Sequence, residues 1–159
     1  MASHCEHPHE RGGLKGRALK AELKAAESRC SEADERLTSP RRRVLELLLG
    51  AGQPVKAYDL IAAFGEDGAP AKPPTVYRAL EFLERQGFAH RIESLNAYVA
   101  CRQGPEAHAA AFLICDCCGD TREVEPVGAD ALVQLARGSG YTVEVVTLEA
   151  HGRCAACSA

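Results

Sequence analysis

Residues 88–125 read FAHRIESLNAYVACRQGPEAHAAAFLICDCCGDTREVE, and the way this stretch divides decides the fold. Its first part holds two short runs, FAHRIES and AYVAC, separated by Leu95-Asn96, the pattern of two strands joined by a tight turn. Gln103 to Ala107 breaks that pattern with Gly104-Pro105 and reads as a hinge. Phe112 to Cys115 is a short apolar strand that ends in a C-x-x-C pair, Cys115 and Cys118, and Arg122 to Val127 reads as the next strand. His90, Cys101, His108, Cys115, Cys117, Cys118 and Glu123 all lie within the stretch. These are side chains that bind borderline-soft divalent metals.

On the N-terminal side, the run Thr75-Val-Tyr-Arg-Ala-Leu-Glu-Phe-Leu-Glu-Arg-Gln-Gly87 has an apolar face of Val76, Leu80 and Leu83, opened by Pro73-Pro74 and stopped by Gly87. That is a helix with its boundaries marked. Before it come a Gly/Pro-rich loop from Gly65 to Pro74 and a short helix with Tyr58, Leu60, Ile61 and Phe64. Further back, a helix opened by Thr38-Ser-Pro40 carries Val44, Leu45 and Leu47 to Leu49 and stops at Gly50-Ala-Gly52. Leu14 to Cys30 is spaced as an earlier helix, with Cys30 a small buried hydrophobe. Met1 to Gly13 is polar and His-rich and reads as a disordered tail. The order helix, short helix, loop, helix, hairpin is that of a winged helix-turn-helix with the Thr75–Gly87 run as its recognition helix.

On the C-terminal side, Ala129 to Arg137 is a helix and Tyr141 to Leu148 alternates as a strand. A second pair, Cys154 and Cys157, follows His151-Gly152. The fold class is therefore α/β (α+β). The expected organisation is a tail at 1–13, a winged-helix DNA-binding domain at 14–102, a hinge at 103–109, and a small α/β metal-binding domain at 110–159, to which the family resemblance given below adds dimerisation.

The chain has 159 residues, 46% of them hydrophobic and 26% charged, a soluble globular mixture. Aromatics are only 5% and Trp is absent, so a structural metal would help a small core. The net charge of −3 speaks against nucleic acid, but its distribution does not. The first 100 residues are close to neutral and hold the run Arg41-Arg42-Arg43, whereas residues 101–159 are acidic, and a whole-chain charge can hide a basic face. The start has no apolar core of signal-peptide length and no run approaches the ~18 apolar residues of a membrane span. A cytoplasmic protein without membrane contact is expected. In that reducing compartment eight cysteines point to metal ligation rather than disulfides.

Cys115, Cys118, Cys154 and Cys157 have the spacing of a closed four-thiolate zinc site, which holds structure and leaves no position for chemistry. Cys117, next to Cys118, reads as a bystander. His90, Cys101, His108 and Glu123 are candidates for a second zinc, giving two Zn2+ per chain. A lone His or Glu is ordinarily a solvated or hydrogen-bonded residue. One Cys, two His and one Glu together make a tetrahedral set suited to zinc. Bracketing the hinge, they would couple zinc to the geometry of DNA reading. His151 remains an accessory candidate, since the four others complete a tetrahedron. A zinc hydrolase, the rival from another class, needs an open position for water. The H-E-x-x-H and the deaminase H-x-E with P-C-x-x-C are both absent. An enzyme is not expected.

The pieces KPPTVYRALEFLERQGFAHRIES (72–94), NAYVAC (96–101), FLICDCCG (112–119) and EAHGRCAAC (149–157) resemble the ferric uptake regulator (Fur) family, and within it the zinc-sensing branch. The resemblance runs from Leu37 to Cys157. It implies a zinc-responsive transcriptional repressor, a homodimer that binds palindromic operators of zinc-uptake genes in double-stranded DNA with zinc as co-repressor. On this resemblance Cys115, Cys118, Cys154 and Cys157 match structural zinc ligands, and His90, Cys101, His108 and Glu123 match regulatory ones. Tyr77 and Arg78, with Thr75 at the start of the same helix, match the DNA-facing side, and Arg41 falls near the first DNA-contacting helix. An iron, manganese or peroxide sensor of the same fold is the alternative. The thiolate of Cys101 favours zinc over iron or manganese.

Overall fold

The computed structural model describes residues 12–65, 69–102 and 109–158. The chain forms two compact units, the first ending at residue 106 and the second holding 107–159.

The first unit contains α1 (Gly16–Glu32), α2 (Ser39–Ala51), α3 (Ala57–Ala63), α4 (Pro73–Arg85) and the hairpin β1 (Ala89–Ile92) and β2 (Ala97–Ala100). Each helix donates its apolar stripe to one core: Leu23, Ala26 and Cys30 from α1, Val44, Leu45 and Leu48 from α2, Leu60 from α3, and Val76, Leu80, Phe82 and Leu83 from α4. Cys30 is a core residue, as its spacing implied. Pro40 lies in the first turn of α2, where its missing N–H costs nothing, and Gly52 at φ 61° ends the helix with its N–H on the Leu48 carbonyl.

Gly13 and Leu14 lie against the end of α2. The Leu14 N–H donates to the Leu49 carbonyl at 2.9 Å, and a Cβ on Gly13 would overlap the Gly50 carbonyl. Two glycines allow the backbones to touch here. Residues 1–11 lie outside the described residues.

In the hairpin, Ala89 faces Ala100 and Ile92 faces Ala97, with Asn96 taking the left-handed turn position at φ 46°. One further pairing was not legible in the sequence. Val55, in the linker after α2, exchanges both backbone hydrogen bonds with Tyr98 at 2.8 Å each. This bridge ties the wing to the helices.

The second unit is a three-stranded sheet in the order β4-β3-β5, from β3 (Ala110–Cys115), β4 (Thr121–Val124) and β5 (Thr147–Gly152). β3 pairs antiparallel with β4 and parallel with β5, so α5 (Ala129–Gly138) lies in the connection from β4 to β5. A last turn, α6 (Ala155–Ser158), follows. The strand expected over 141–148 lies instead at 147–152. Alternation alone does not make a ladder; the residues that face β3, from Thr147 opposite Ala110 to Gly152 opposite Cys115, form the strand.

Candidate metal centre and nucleic-acid interface

The two C-x-x-C pairs are far apart in sequence, and the parallel ladder brings them together. Cys115 is the last residue of β3 and faces Gly152, the last of β5. Cys154 follows two residues later, and α6 turns the chain so that Cys157 comes back toward it, its N–H on the Cys154 carbonyl at 3.0 Å. After Cys115 the chain makes a tight turn closed by the Gly119 N–H on the Cys115 carbonyl at 2.9 Å, with Gly119 at φ 75°. A side chain there would be strained.

The four sulfurs each lie within 4.8 Å of the others, and Cys118 Sγ is 3.8 Å from Cys154 Sγ. A zinc ion bonded to four thiolates at ~2.3 Å sets its sulfurs roughly 3.8 Å apart. The residues therefore fit tetrahedral zinc. Backbone N–H groups of Cys118, Cys154 and Cys117 converge on the Cys115 sulfur and lower its pKa to about 6, so it meets a cation as a thiolate. Burial, reinforced by the sulfurs of Cys154, Cys118 and Cys115, pushes the Cys157 thiol up. Cys117 stands outside the group.

His151, the accessory candidate, is engaged elsewhere. Its Nδ1 is 2.8 Å from Asp116 Oδ1 and its Nε2 is 3.7 Å from Glu149 Oε2. The hydrogen bond to Asp116 holds its pKa above the ordinary imidazole value.

The remaining candidates divide between the units. In the hairpin, His90 faces Val99, and the Cys101 N–H donates to the Phe88 carbonyl at 2.9 Å, continuing the ladder one residue past β2. Val99 and Cys101 are two apart on one strand, so His90 and Cys101 share a face as diagonal neighbours. Their ligand atoms lie within 4.8 Å of each other. In the second unit, Glu123 sits on β4 opposite Phe112. His108 lies outside the described residues.

The face of α4 away from the core presents Tyr77 and Arg78 to solvent, with Thr75 half-buried in its first turn. Tyr58, which the sequence groups with the apolar residues of α3, is 78% exposed. The signal was present: Ala57 and Leu60 keep the helical interval toward the core, and position 58 falls off that face. Tyr58 joins Tyr77 as an exposed aromatic of the helix-turn-helix.

Arg41, Arg42 and Arg43 do not form an open basic face. Arg41 Nη1 donates to the Arg36 carbonyl at 2.6 Å, and its guanidinium stacks on the Phe82 ring, 3.5 Å from the centroid. Arg42 Nε bonds Glu27 on α1 at 2.8 Å. Arg43 donates to the Phe64 and Ala63 carbonyls at the end of α3, and to Glu46. Among the described residues, no helix is long and apolar enough to cross a membrane.

Residues 32–151 match the ferric uptake regulator family. The zinc uptake regulation protein of Escherichia coli K12 is 42% identical over 137 residues, spanning 85% of this chain and 80% of that protein. A solved zinc uptake regulator complexed with zinc and DNA is similar at 41% identity with a TM-score of 0.81, over 90% of this chain and 97% of that one. The crystal structure of holo XcZur is similar at 43% identity with a TM-score of 0.78, over 87% and 97% of the two chains.

Proposed function

The chain belongs to the ferric uptake regulator family, and from that premise we infer that it is a zinc-responsive transcriptional repressor of zinc-uptake genes, binding palindromic double-stranded DNA as a homodimer. The observation that carries this reading is the joining of two functions in one continuous segment. The helix that presents Tyr77 and Arg78 runs directly into the hairpin that sets His90 and Cys101 as diagonal neighbours on one face. A metal held by the hairpin acts on the element that follows the reading helix.

The chain binds two zinc ions. Cys115, Cys118, Cys154 and Cys157 hold the structural one. His90, Cys101, His108 and Glu123 hold the regulatory one, as one thiolate, two imidazoles and a carboxylate. A thiolate in that set favours zinc over iron and manganese. Four protein ligands leave no open position for an activated water, so the protein is a regulator and not a hydrolase. Its place is the cytoplasm, where its DNA and the zinc it senses both lie. The second unit supports the dimer. Leu135, Tyr141 and Val145 are 69%, 71% and 81% exposed in the single chain, an apolar surface of the kind that a partner subunit covers. Leu135→Glu is accordingly expected to shift the zinc-loaded protein toward monomer in sedimentation equilibrium.

The test of the reading is DNA affinity across a chelator-buffered zinc series. Binding that rises with free zinc to a duplex enriched from a random library supports it, and binding indifferent to zinc removes it. On that duplex, Arg78→Ala is expected to weaken affinity by roughly 1–3 kcal/mol and to relax base preference, as the loss of a bidentate base contact would. Equal loss on a shuffled duplex would take Arg78 out of base reading.

A further inference from the structure

Consecutive residues of a helix point about 100° apart, so the three arginines in the first turns of α2 leave in three directions. Each meets a different neighbour. Arg42 reaches α1 through Glu27, and Arg43 caps the last carbonyls of α3. Arg41 reaches α4. Its guanidinium covers the ring of Phe82, which is only 1% exposed, while Nη1 is held by the Arg36 carbonyl just before α2. Arg85 approaches the same ring at 5.6 Å and is itself paired with Glu35 at 3.4 Å. Phe82 lies one helical turn beyond Arg78, so the stacked pair bears on α4 next to its DNA-reading residues.

We propose that Arg41 is a positioning residue, which sets the orientation of α4 relative to α2 through Phe82, and not a phosphate contact. The proposal rests on the repressor reading above. To touch a phosphate, Arg41 would have to leave a buried aromatic face and a backbone carbonyl together. Lysine cannot take its place, because a compact ammonium offers no planar face to stack and no fork to reach the carbonyl at the same time. A misoriented α4 still meets the charged backbone, which is sequence-blind. What it loses is the alignment of Tyr77 and Arg78 with base edges.

The two roles separate in measurement. The zinc-loaded wild type first enriches a duplex from a random library. Affinities for it and for a shuffled duplex are then measured over a salt series for wild type, Arg41→Ala and Arg41→Lys. Both variants are expected to lose about tenfold in the preference for the enriched duplex, with an unchanged slope of log affinity against log salt. A phosphate contact predicts the reverse: for Arg41→Ala a slope smaller by about 0.9 and an unchanged preference, and for Arg41→Lys near-normal binding. Either of those results overturns the proposal, as does a wild-type preference in both variants. A Phe82→Leu cycle guards against a general loss of stability. On that background Arg41→Ala is expected to add nothing to the loss of preference, and full additivity overturns the proposal. If the wild type enriches no duplex, the repressor reading falls and this inference with it; every other outcome bears on Arg41 alone.

Discussion

Cys154→Ser is expected to release one zinc ion per chain and to unfold the second unit while the first keeps its helices. The sheet depends on β5, which among the described residues pairs with β3 at the sheet edge. The four-sulfur group closes the end of that pairing, where Cys115 faces Gly152. The apolar core beneath is small, with Phe112 and Ile114 its large buried members on the strands. A structural zinc contributes on the order of 10 kcal/mol in small zinc modules, as much as the net stability of a typical domain. Serine matches cysteine in shape but keeps its proton at neutral pH and does not replace the thiolate. Cys115→Ser should act in the same way, since it removes the sulfur that backbone N–H groups hold as an anion. The check is zinc content per chain together with hydrogen exchange over 109–158. A variant with wild-type zinc content and unchanged protection there would refute the four-cysteine assignment.

Cys101→Ser is expected to do the opposite. The protein should stay folded and keep its four-cysteine zinc, but lose zinc-dependent DNA binding. Cys101 sits at the end of the wing, anchored through its backbone to Phe88, so the substitution leaves the hairpin ladder intact. On the proposed assignment, what changes is the ligand set, which would become two imidazoles, a carboxylate and water. Affinity for zinc then falls below the level at which the cell fills the site. Without the metal, fewer molecules hold the binding-competent geometry, and apparent affinity for DNA falls with that fraction. Excess zinc should restore part of it, because three ligands remain. The measurement is affinity for the enriched duplex with and without zinc, wild type and variant side by side. A wild-type zinc dependence in Cys101→Ser would mean that this residue is not part of the sensor.

Local pattern carried much of this protein. The α4 stripe of Val76, Leu80 and Leu83, with Gly87 after it, announced a helix and its end. The paired C-x-x-C spacing announced a four-thiolate group, and the fit of those sulfurs to a zinc tetrahedron agrees with it. Both are short-range statements: they say which residues share a face or a turn, and a period or a spacing suffices for them.

Tertiary structure alone decided the rest. The true position of β5 came from its register on β3, since an alternating run becomes a strand only where a partner's N–H and C=O groups meet it. The Val55–Tyr98 bridge joins positions 43 residues apart, and nothing in either sequence neighbourhood names the other. The Arg41–Arg43 run reads from its charge as a local basic patch. What each guanidinium touches is a different group: a ring on α4, a carboxylate on α1 and the carbonyls that end α3. Charge is a property of the residue and is read in one dimension. The group that answers it is set by how helices cross, which only the packed core determines.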